Sequence, residues 1–136
     1  MLEYKTVDLR TEKGIKEAEE LKEQGWTLGS HGLDTIQFYR ELKKEKTYDF
    51  YEDAGHGWLK VKLSELIELE IAEKISGHSY YQNDNVYLEE DCDMNVFLKA
   101  MRDKKSTFVK FRDHFAKNGS RVRSYDRFSK KYLTKL

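Results

Sequence analysis

The 136-residue chain has no proline, a single cysteine and no long run of apolar residues. The lone Cys92 excludes an internal disulfide and a cysteine-based zinc site. No apolar segment approaches the roughly 20 residues that a membrane-spanning helix needs. The first residues, MLEYKTVDLR, do not resemble a signal peptide. The sequence therefore predicts a cytoplasmic protein with no membrane association.

Charge is balanced over the whole chain but divided along it. Residues 1–98 contain 12 Lys and Arg against 22 Asp and Glu, whereas residues 99–136 contain 13 against 3. The basic end is suited to phosphates or to an acidic protein surface, and this polarity is typical of a binding protein. The 18 aromatic residues, spread along the chain, supply large apolar side chains for a core.

The N-terminal third predicts a β-α-β-β unit over residues 3–42. A strand comes first, and Thr11 is placed to cap the helix that follows it. Ile15, Ala18 and Leu21 are spaced to lie on one face of that helix. Two further strands, separated by glycine-containing turns, complete the unit.

The rest of the chain predicts three β-hairpins. The first turns at residues 54–57 and the second at Gln82–Asn85. The third joins strands Thr107–Phe115 and Arg121–Phe128 across Asn118-Gly119, because Asn-Gly is the strongest short hairpin signal.

Two short helices are expected between these hairpins, one capped by Ser64 and one, Met94–Arg102, capped by Asp93. The fold class is therefore α+β, with antiparallel hairpins and two or three short helices. The predicted domains are the β-α-β-β unit at residues 1–45 and an α+β domain with a basic C-terminal hairpin at residues 46–136.

His56 is the residue most typical of a functional site. It lies between Gly55 and Gly57, which let a backbone approach a ligand closely, and its imidazole titrates near neutral pH. A general acid or base is one interpretation. The other is a turn histidine that hydrogen-bonds to backbone and fixes the first hairpin.

An acidic cluster, Glu89-Glu90-Asp91-Cys92-Asp93, follows the second hairpin. Its carboxylates suit a hard cation or a positioned water, but helix capping and dipole complementarity explain at least two of them. The four histidines also lack the close ligand spacing of zinc motifs. The sequence therefore predicts no metal and no cofactor.

Basic and aromatic residues alternate near the C terminus. On a strand, Arg121, Arg123 and Arg127 project from one face and make a positive stripe. This stripe is either a binding surface or a solvated face balanced by the acidic segment of the same molecule. The predicted set of residues that contact a nucleic acid or a protein partner is Arg121, Arg123, Tyr125, Arg127, Lys130 and Tyr81.

Four strings mark a family resemblance: DAGHGWLKV at 53–61, SELIELEIAEKISGHSYY at 64–81, NVYLEEDCD at 85–93 and RSY at 123–125. They resemble small proteins of bacteriophages and mobile elements whose activity is unassigned, and the match covers about residues 47–127. The N-terminal unit is an addition to that pattern, and Lys62-Leu63 stands where such proteins often have proline.

The resemblance implies a protein that acts by binding, because many small phage proteins block bacterial defence systems. The first hypothesis is thus an inhibitor of a defence nuclease such as a CRISPR effector, acting in the host cytoplasm by contacting that protein or its guide RNA. Alternatives are an RNA-binding protein, or a small metal-independent ribonuclease that uses His56, Glu90 and Arg123. A homodimer that joins acidic and basic segments is a third.

Overall fold

A computed structural model describes residues 1–135, and its contacts separate two units, Met1–Lys43 and Lys44–Leu136. The α+β class that the sequence predicts is confirmed, and residues 1–135 form three α-helices and nine strands. No helix among residues 1–135 is long and apolar enough to cross a membrane.

The first unit has the predicted β-α-β-β order. Its elements are β1 (Leu2–Asp8), α1 (Glu12–Glu23), β2 (Thr27–His31) and β3 (Thr35–Glu41), and the antiparallel sheet has the order β1-β3-β2. Thr11 caps α1, as predicted, by accepting a hydrogen bond from the Gly14 amide at 2.9 Å.

One residue predicted for the buried face of α1 is placed differently. Ala18 and Leu21 are buried beside Trp26 and Phe38, whereas Ile15 is exposed. Gly14 is the buried residue of the first turn, because a Cβ there would lie 1.7 Å from the Asp8 carbonyl oxygen. The helix approaches β1 too closely for a side chain, and this contact sets the rotation of its first turn.

The second unit is built on a six-stranded sheet in the order β8-β4-β5-β7-β6-β9. Its strands are β4 (Lys44–Glu52), β5 (Gly57–Lys62), β6 (Tyr80–Gln82), β7 (Asn85–Glu89), β8 (Thr107–Phe115) and β9 (Asp126–Arg127). Its helices are α2 (Leu63–Glu68) and α3 (Asp93–Lys105), with 3₁₀ helices at Ala72–Lys74, Arg121–Ser124 and Lys130–Lys135.

Two of the three predicted hairpins are confirmed. Strands β4 and β5 pair antiparallel, with Tyr51 opposite Trp58. Strands β6 and β7 pair around Asn83 and Asp84, whose φ angles of 51° and 64° are those that a tight two-residue hairpin turn requires.

The predicted C-terminal hairpin is wrong. Strand β8 pairs in parallel with β4, and β9 pairs with β6 at the other edge of the sheet. Gly119 does adopt a positive φ of 101°, but it lies in an irregular connection. The Asp53 carboxylate holds this connection by accepting a hydrogen bond from the Ser120 amide, so long-range contacts override the local turn signal.

Both predicted helix caps in this unit are also wrong. Ser64 lies inside α2, which begins at Leu63. Asp93 is the first residue of α3, and its buried carboxylate accepts hydrogen bonds from the Ser76 amide and hydroxyl and from the Ser79 hydroxyl. The acid therefore joins α3 to the loop before β6.

The two faces of the six-stranded sheet differ in what covers them. Helices α2 and α3 pack on one face, where Leu59, Leu88 and Phe97 are fully buried. On the other face, Trp58, Tyr80 and Tyr87 form a smaller cluster that is covered by Val122. We call these the helical face and the open face, and the candidate site lies on the open face.

Candidate functional site

The direction of side chains on β5, β6 and β7 brings together the residues of the open face. Trp58 lies opposite Glu89, and Tyr80 lies opposite Tyr87. Directly opposed residues in an antiparallel pair project from the same face of a sheet. Because Trp58 and Tyr80 both belong to the open-face cluster, Glu89 projects from that face as well.

The 3₁₀ helix Arg121–Ser124 crosses the open face and divides it. This helix has about three residues per turn, so consecutive side chains point in three directions. Val122 points down and is buried on the aromatic cluster. Arg123 lines a cleft on one side of the helix, and Arg121 lines a cleft on the other side. The predicted stripe of three arginines on one strand is therefore wrong.

The first cleft has a volume of about 340 Å³. Four segments line it: His56 and Trp58, then His78 and Tyr80, then Glu89, Asp91 and Cys92, and finally Arg123 and Arg127. Three of the residues predicted from the sequence, His56, Arg123 and Arg127, thus meet in one place. The cleft contains both basic groups and carboxylates.

Asp53 holds Arg123 in position. Arg123 donates to the Asp53 carboxylate through Nε at 2.7 Å and through Nη2 at 2.9 Å. The same carboxylate accepts from the Gly55, His56 and Ser120 amides, and its side chain is only 3% exposed. The Arg123 hydrogen bonds, and next the Ser120 amide, hold the pKa of Asp53 far below its usual range. Asp53 is therefore ionised. It fixes the backbone at Gly55, His56 and Ser120 as well as the side chain of Arg123.

Aromatic rings support the two guanidinium groups of the first cleft. The Arg123 guanidinium lies 5.2 Å from the Trp58 ring centroid, and that of Arg127 lies 4.7 Å from the Tyr80 ring centroid. Arg127 also donates to the Gly77 carbonyl oxygen at 3.2 Å. Stacking on a ring restricts a guanidinium, and in Arg123 the Nε and Nη2 groups are already bound by Asp53.

Across the cleft from these arginines, an imidazole faces a carboxylate. His56 Nδ1 lies 3.8 Å from Glu89 Oε1, while Glu89 Oε2 accepts hydrogen bonds from the Asp91 and Cys92 amides at 3.0 Å each. The ligand atoms of His56, Glu89 and Asp91 all lie within 4.8 Å of one another. These three residues therefore form a cluster with donors suited to a metal ion.

Glu90, the carboxylate of the predicted ribonuclease trio, does not join His56 and Arg123. Glu90 lines neither cleft. Its Oε2 lies instead next to Gly57 on the side of the Phe50 ring, which belongs to the helical face, and a Cβ built on Gly57 would be 2.9 Å from this oxygen. Side chains alternate between faces along a strand, so the acid that reaches the cleft is Glu89. The trio of His56, Glu90 and Arg123 is therefore not assembled.

The second cleft has a different composition. It has a volume of about 480 Å³, and its lining includes the basic or imidazole side chains of Lys60, His114 and Arg121. Tyr125 and the exposed Phe115 add aromatic surface. Among the described residues, no carboxylate lines this cleft.

Packing beneath the second cleft fixes its aromatic floor. The Tyr51 ring stacks on His114 at 4.8 Å, and the Tyr87 and Tyr125 ring centroids are 5.0 Å apart. Burial raises the pKa of Tyr87 to about 12, so this hydroxyl stays neutral at physiological pH. His114 Nε2 lies 2.9 Å from the carboxylate of Asp49, and this contact lowers the pKa of Asp49.

Two residues of the predicted partner-binding set lie elsewhere. Tyr81 is on the helical face, where its ring stacks on Tyr132 at 3.8 Å and its hydroxyl donates to Asp84 at 2.8 Å. Lys130 begins the last 3₁₀ helix and lines neither cleft. Arg121, Tyr125, Arg123 and Arg127 are the members of the set that line the two clefts.

Sequence reasoning missed several cleft residues. Lys60 was within reach of strand alternation, because it lies two positions from Trp58 on β5, whereas Glu89 shares that face only through the pairing of β5 with β7. His114 gave no such signal, because it reaches the open face only through the parallel pairing of β8 with β4, and Phe115 lines the second cleft at the end of the same strand. His78 lies in the loop before β6, where no periodic pattern applies.

No protein-family model, no curated protein and no solved structure matches this chain.

Proposed function

We propose that the second unit binds RNA along its open face, with the second cleft as the main attachment site. The observation that carries this proposal is the lining of that cleft, where Lys60, His114 and Arg121 stand beside exposed aromatic surface. Cationic side chains attract phosphates, and aromatic rings stack on unpaired bases. A cleft with both and no carboxylate is suited to single-stranded RNA.

The contacts of Arg121 support its assignment to phosphate binding. Among the described residues, no carboxylate is paired with the Arg121 side chain, whereas Arg123 is neutralised by Asp53. A phosphate that approaches Arg121 therefore meets a full positive charge.

Phe115 supports the base-stacking part of the proposal. Phe115, the last residue of β8, is among the residues that line the second cleft, and it is 64% exposed although it is large and apolar. An exposed phenyl ring beside basic groups is an expected platform for an unpaired base. Tyr125, on the other wall of the cleft, is half-buried.

The phage resemblance supplies the setting that we propose for this binding. In that setting the protein acts in the bacterial cytoplasm as an inhibitor of a defence nuclease that carries a guide RNA. The open face would contact the guide RNA, which makes the inhibitor a competitor for phosphates that the nuclease itself holds. Inhibition of a purified CRISPR nuclease that is relieved by excess guide RNA would support this setting.

The experiment is binding of a labelled RNA stem-loop with a long single-stranded loop, measured at about 50 and 200 mM salt. We expect Arg121→Gln to weaken binding and to reduce the slope of log K against log salt by about 0.7, the value for one phosphate contact on a single strand. Lys130→Gln removes the same charge outside both clefts and should leave the slope close to that of the wild type.

Two further readouts address the alternatives. Cleavage of the RNA would favour the ribonuclease hypothesis, and its absence leaves binding as the activity. Sedimentation without RNA at both salt concentrations tests the predicted homodimer, which should dissociate as salt rises. Binding that is equally strong in Arg121→Gln and in the wild type would contradict the proposal.

A further inference from the structure

We propose that the first cleft binds one divalent transition-metal ion through an imidazole nitrogen of His56 and one carboxylate oxygen each from Glu89 and Asp91. This site is separate from the RNA-binding residues of the second cleft. Its ligands come from the turn between β4 and β5, from the last residue of β7 and from the segment that links β7 to α3. The inference does not depend on the proposed RNA binding.

The distances between the donor atoms are close to those of a metal centre. Ligands at about 2.0–2.1 Å from a tetrahedral ion lie about 3.3 Å apart. His56 Nδ1 and Glu89 Oε1 are already 3.8 Å apart, and all three donors are within 4.8 Å of one another. The His56 side chain is 49% exposed and Asp91 is exposed, so both can rotate toward the ion without disturbing the core.

Glu89 is the fixed ligand of the three. The residue is 8% exposed, and its Oε2 is held by the amides of Asp91 and Cys92. Hydrogen bonds to the second oxygen of a carboxylate orient the first oxygen and keep it in place for the metal. The backbone of His56 is fixed as well, because its amide donates to Asp53.

The acidic residues beside these ligands are directed elsewhere, which distinguishes a site from a local excess of negative charge. Asp93 is buried against Ser76 and Ser79, and Glu90 lies toward Phe50 on the helical face. Of the four carboxylates at Glu89, Glu90, Asp91 and Asp93, those of Glu89 and Asp91 line the cleft with His56. The histidine comes from a different loop, 33 positions before Glu89, so no local motif brings the three residues together.

The donor set indicates the class of ion. One nitrogen and two carboxylate oxygens suit Zn²⁺ or Mn²⁺, whereas Ca²⁺ takes six to eight oxygen ligands. Three protein ligands leave at least one coordination position open to water or to an anion. Arg123 lies on the same cleft, where its guanidinium can contact an anion bound to the ion.

The test is direct metal binding by the full chain after treatment with a chelator. Mn²⁺ is titrated and followed by electron paramagnetic resonance, and Zn²⁺ is titrated by calorimetry. We expect one ion per chain, with affinity at least tenfold weaker in Asp91→Asn, because losing a ligand costs at least as much as losing an outer-shell partner. Glu90→Gln removes the neighbouring carboxylate outside the cleft and should bind like the wild type.

Asp91 is exposed, so its variant tests the ligand role without disturbing the core, and circular dichroism checks that it folds. The absence of stoichiometric binding up to roughly 1 mM of either ion would overturn the proposal. Equal affinity in Asp91→Asn and Glu90→Gln would also overturn it. Neither result would bear on RNA binding at Arg121, which is measured without added metal.

Discussion

The two clefts of the open face are separated by a single turn of 3₁₀ helix, yet they differ in charge. The first cleft combines carboxylates, histidines and an arginine that is neutralised by Asp53. The second cleft is lined by basic and aromatic groups. Arg121 and Arg123 are two residues apart and point into these different environments. The same residue type therefore stands in two settings: Asp53 holds Arg123 in an ion pair, and Arg121 is the arginine that we propose attracts phosphates.

The largest expected effect is on stability at the first cleft. Asp53→Ala removes a buried carboxylate that accepts two hydrogen bonds from Arg123 and three from backbone amides. We expect a loss of about 3 kcal/mol in the free energy of unfolding, because hydrogen bonds to buried charged groups are the strong ones. Urea unfolding followed by Trp58 fluorescence in a Trp26→Phe background measures it.

Glu45→Ala is the matched control for that stability measurement. Glu45 pairs with Lys110 at 3.0 Å, but both side chains are exposed. Exposed ion pairs contribute little, so this variant should unfold near the wild-type urea concentration. Equal destabilisation by both variants would contradict the ordering role of Asp53.

A second prediction concerns base stacking in the second cleft. Phe115→Ala should weaken binding to single-stranded RNA by about 1–3 kcal/mol, the usual contribution of one stacked base. Because Phe115 is exposed, the variant should keep its stability. Phe111→Ala is the control: Phe111 stacks on Phe50 at 5.2 Å, so we expect lower stability and unchanged RNA affinity. The reverse pattern would place RNA on the other face.

A third prediction separates the two arginines. The double variant Asp53→Asn with Arg123→Gln removes an ion pair, so the net charge of the first cleft does not change. Its salt slope for RNA binding should match that of the wild type, whereas Arg121→Gln loses about 0.7. The slopes are compared at a temperature at which circular dichroism shows that all variants are folded. A larger slope change in the double variant would contradict the division of roles.

The smallest expected effect depends on pH. Asp49 faces His114 and Arg112 on β8 and Lys60 on β5, and the contact with His114 is the main cause of its lowered pKa. A carboxylate with a lowered pKa stabilises the fold above its ordinary pKa of about 4, and it loses this contribution as pH falls below that value. Asp49→Asn should therefore be less stable than the wild type at pH 7, and the difference should shrink on acidification. A difference that grows in acid would contradict this assignment.

Local signals were sufficient for much of the fold. The cap at Thr11, the two confirmed hairpins and the existence of α1 and α3 all follow from residues near one another in the sequence. The prediction of the third hairpin was wrong because β8 pairs with β4, about sixty positions earlier, and no residue near β8 in the sequence indicates that pairing. Asn118-Gly119 is a local turn signal, but the hydrogen bond from the Ser120 amide to Asp53 holds this segment in an irregular connection.

The candidate site was predicted only in part, because residue types can be read locally whereas the pairing of distant strands cannot. His56, Arg121, Arg123 and Arg127 stood out by residue type, and all of them line the clefts. The acid was misplaced by one position, from Glu89 to Glu90, because the sequence does not fix which member of a pair at the end of a strand faces the cleft. The cluster of His56 with Glu89 and Asp91 needs the pairing of β5 with β7, which the sequence did not reveal.

The most direct test of the central claim, that RNA lies on the open face, is photochemical crosslinking. RNA with 4-thiouridine in its single-stranded loop is irradiated with the full chain, and crosslinked peptides are identified by mass spectrometry. We expect crosslinks at Phe115 and Tyr125 in the second cleft. Crosslinks confined to Tyr81 and Tyr132, on the helical face, would contradict it.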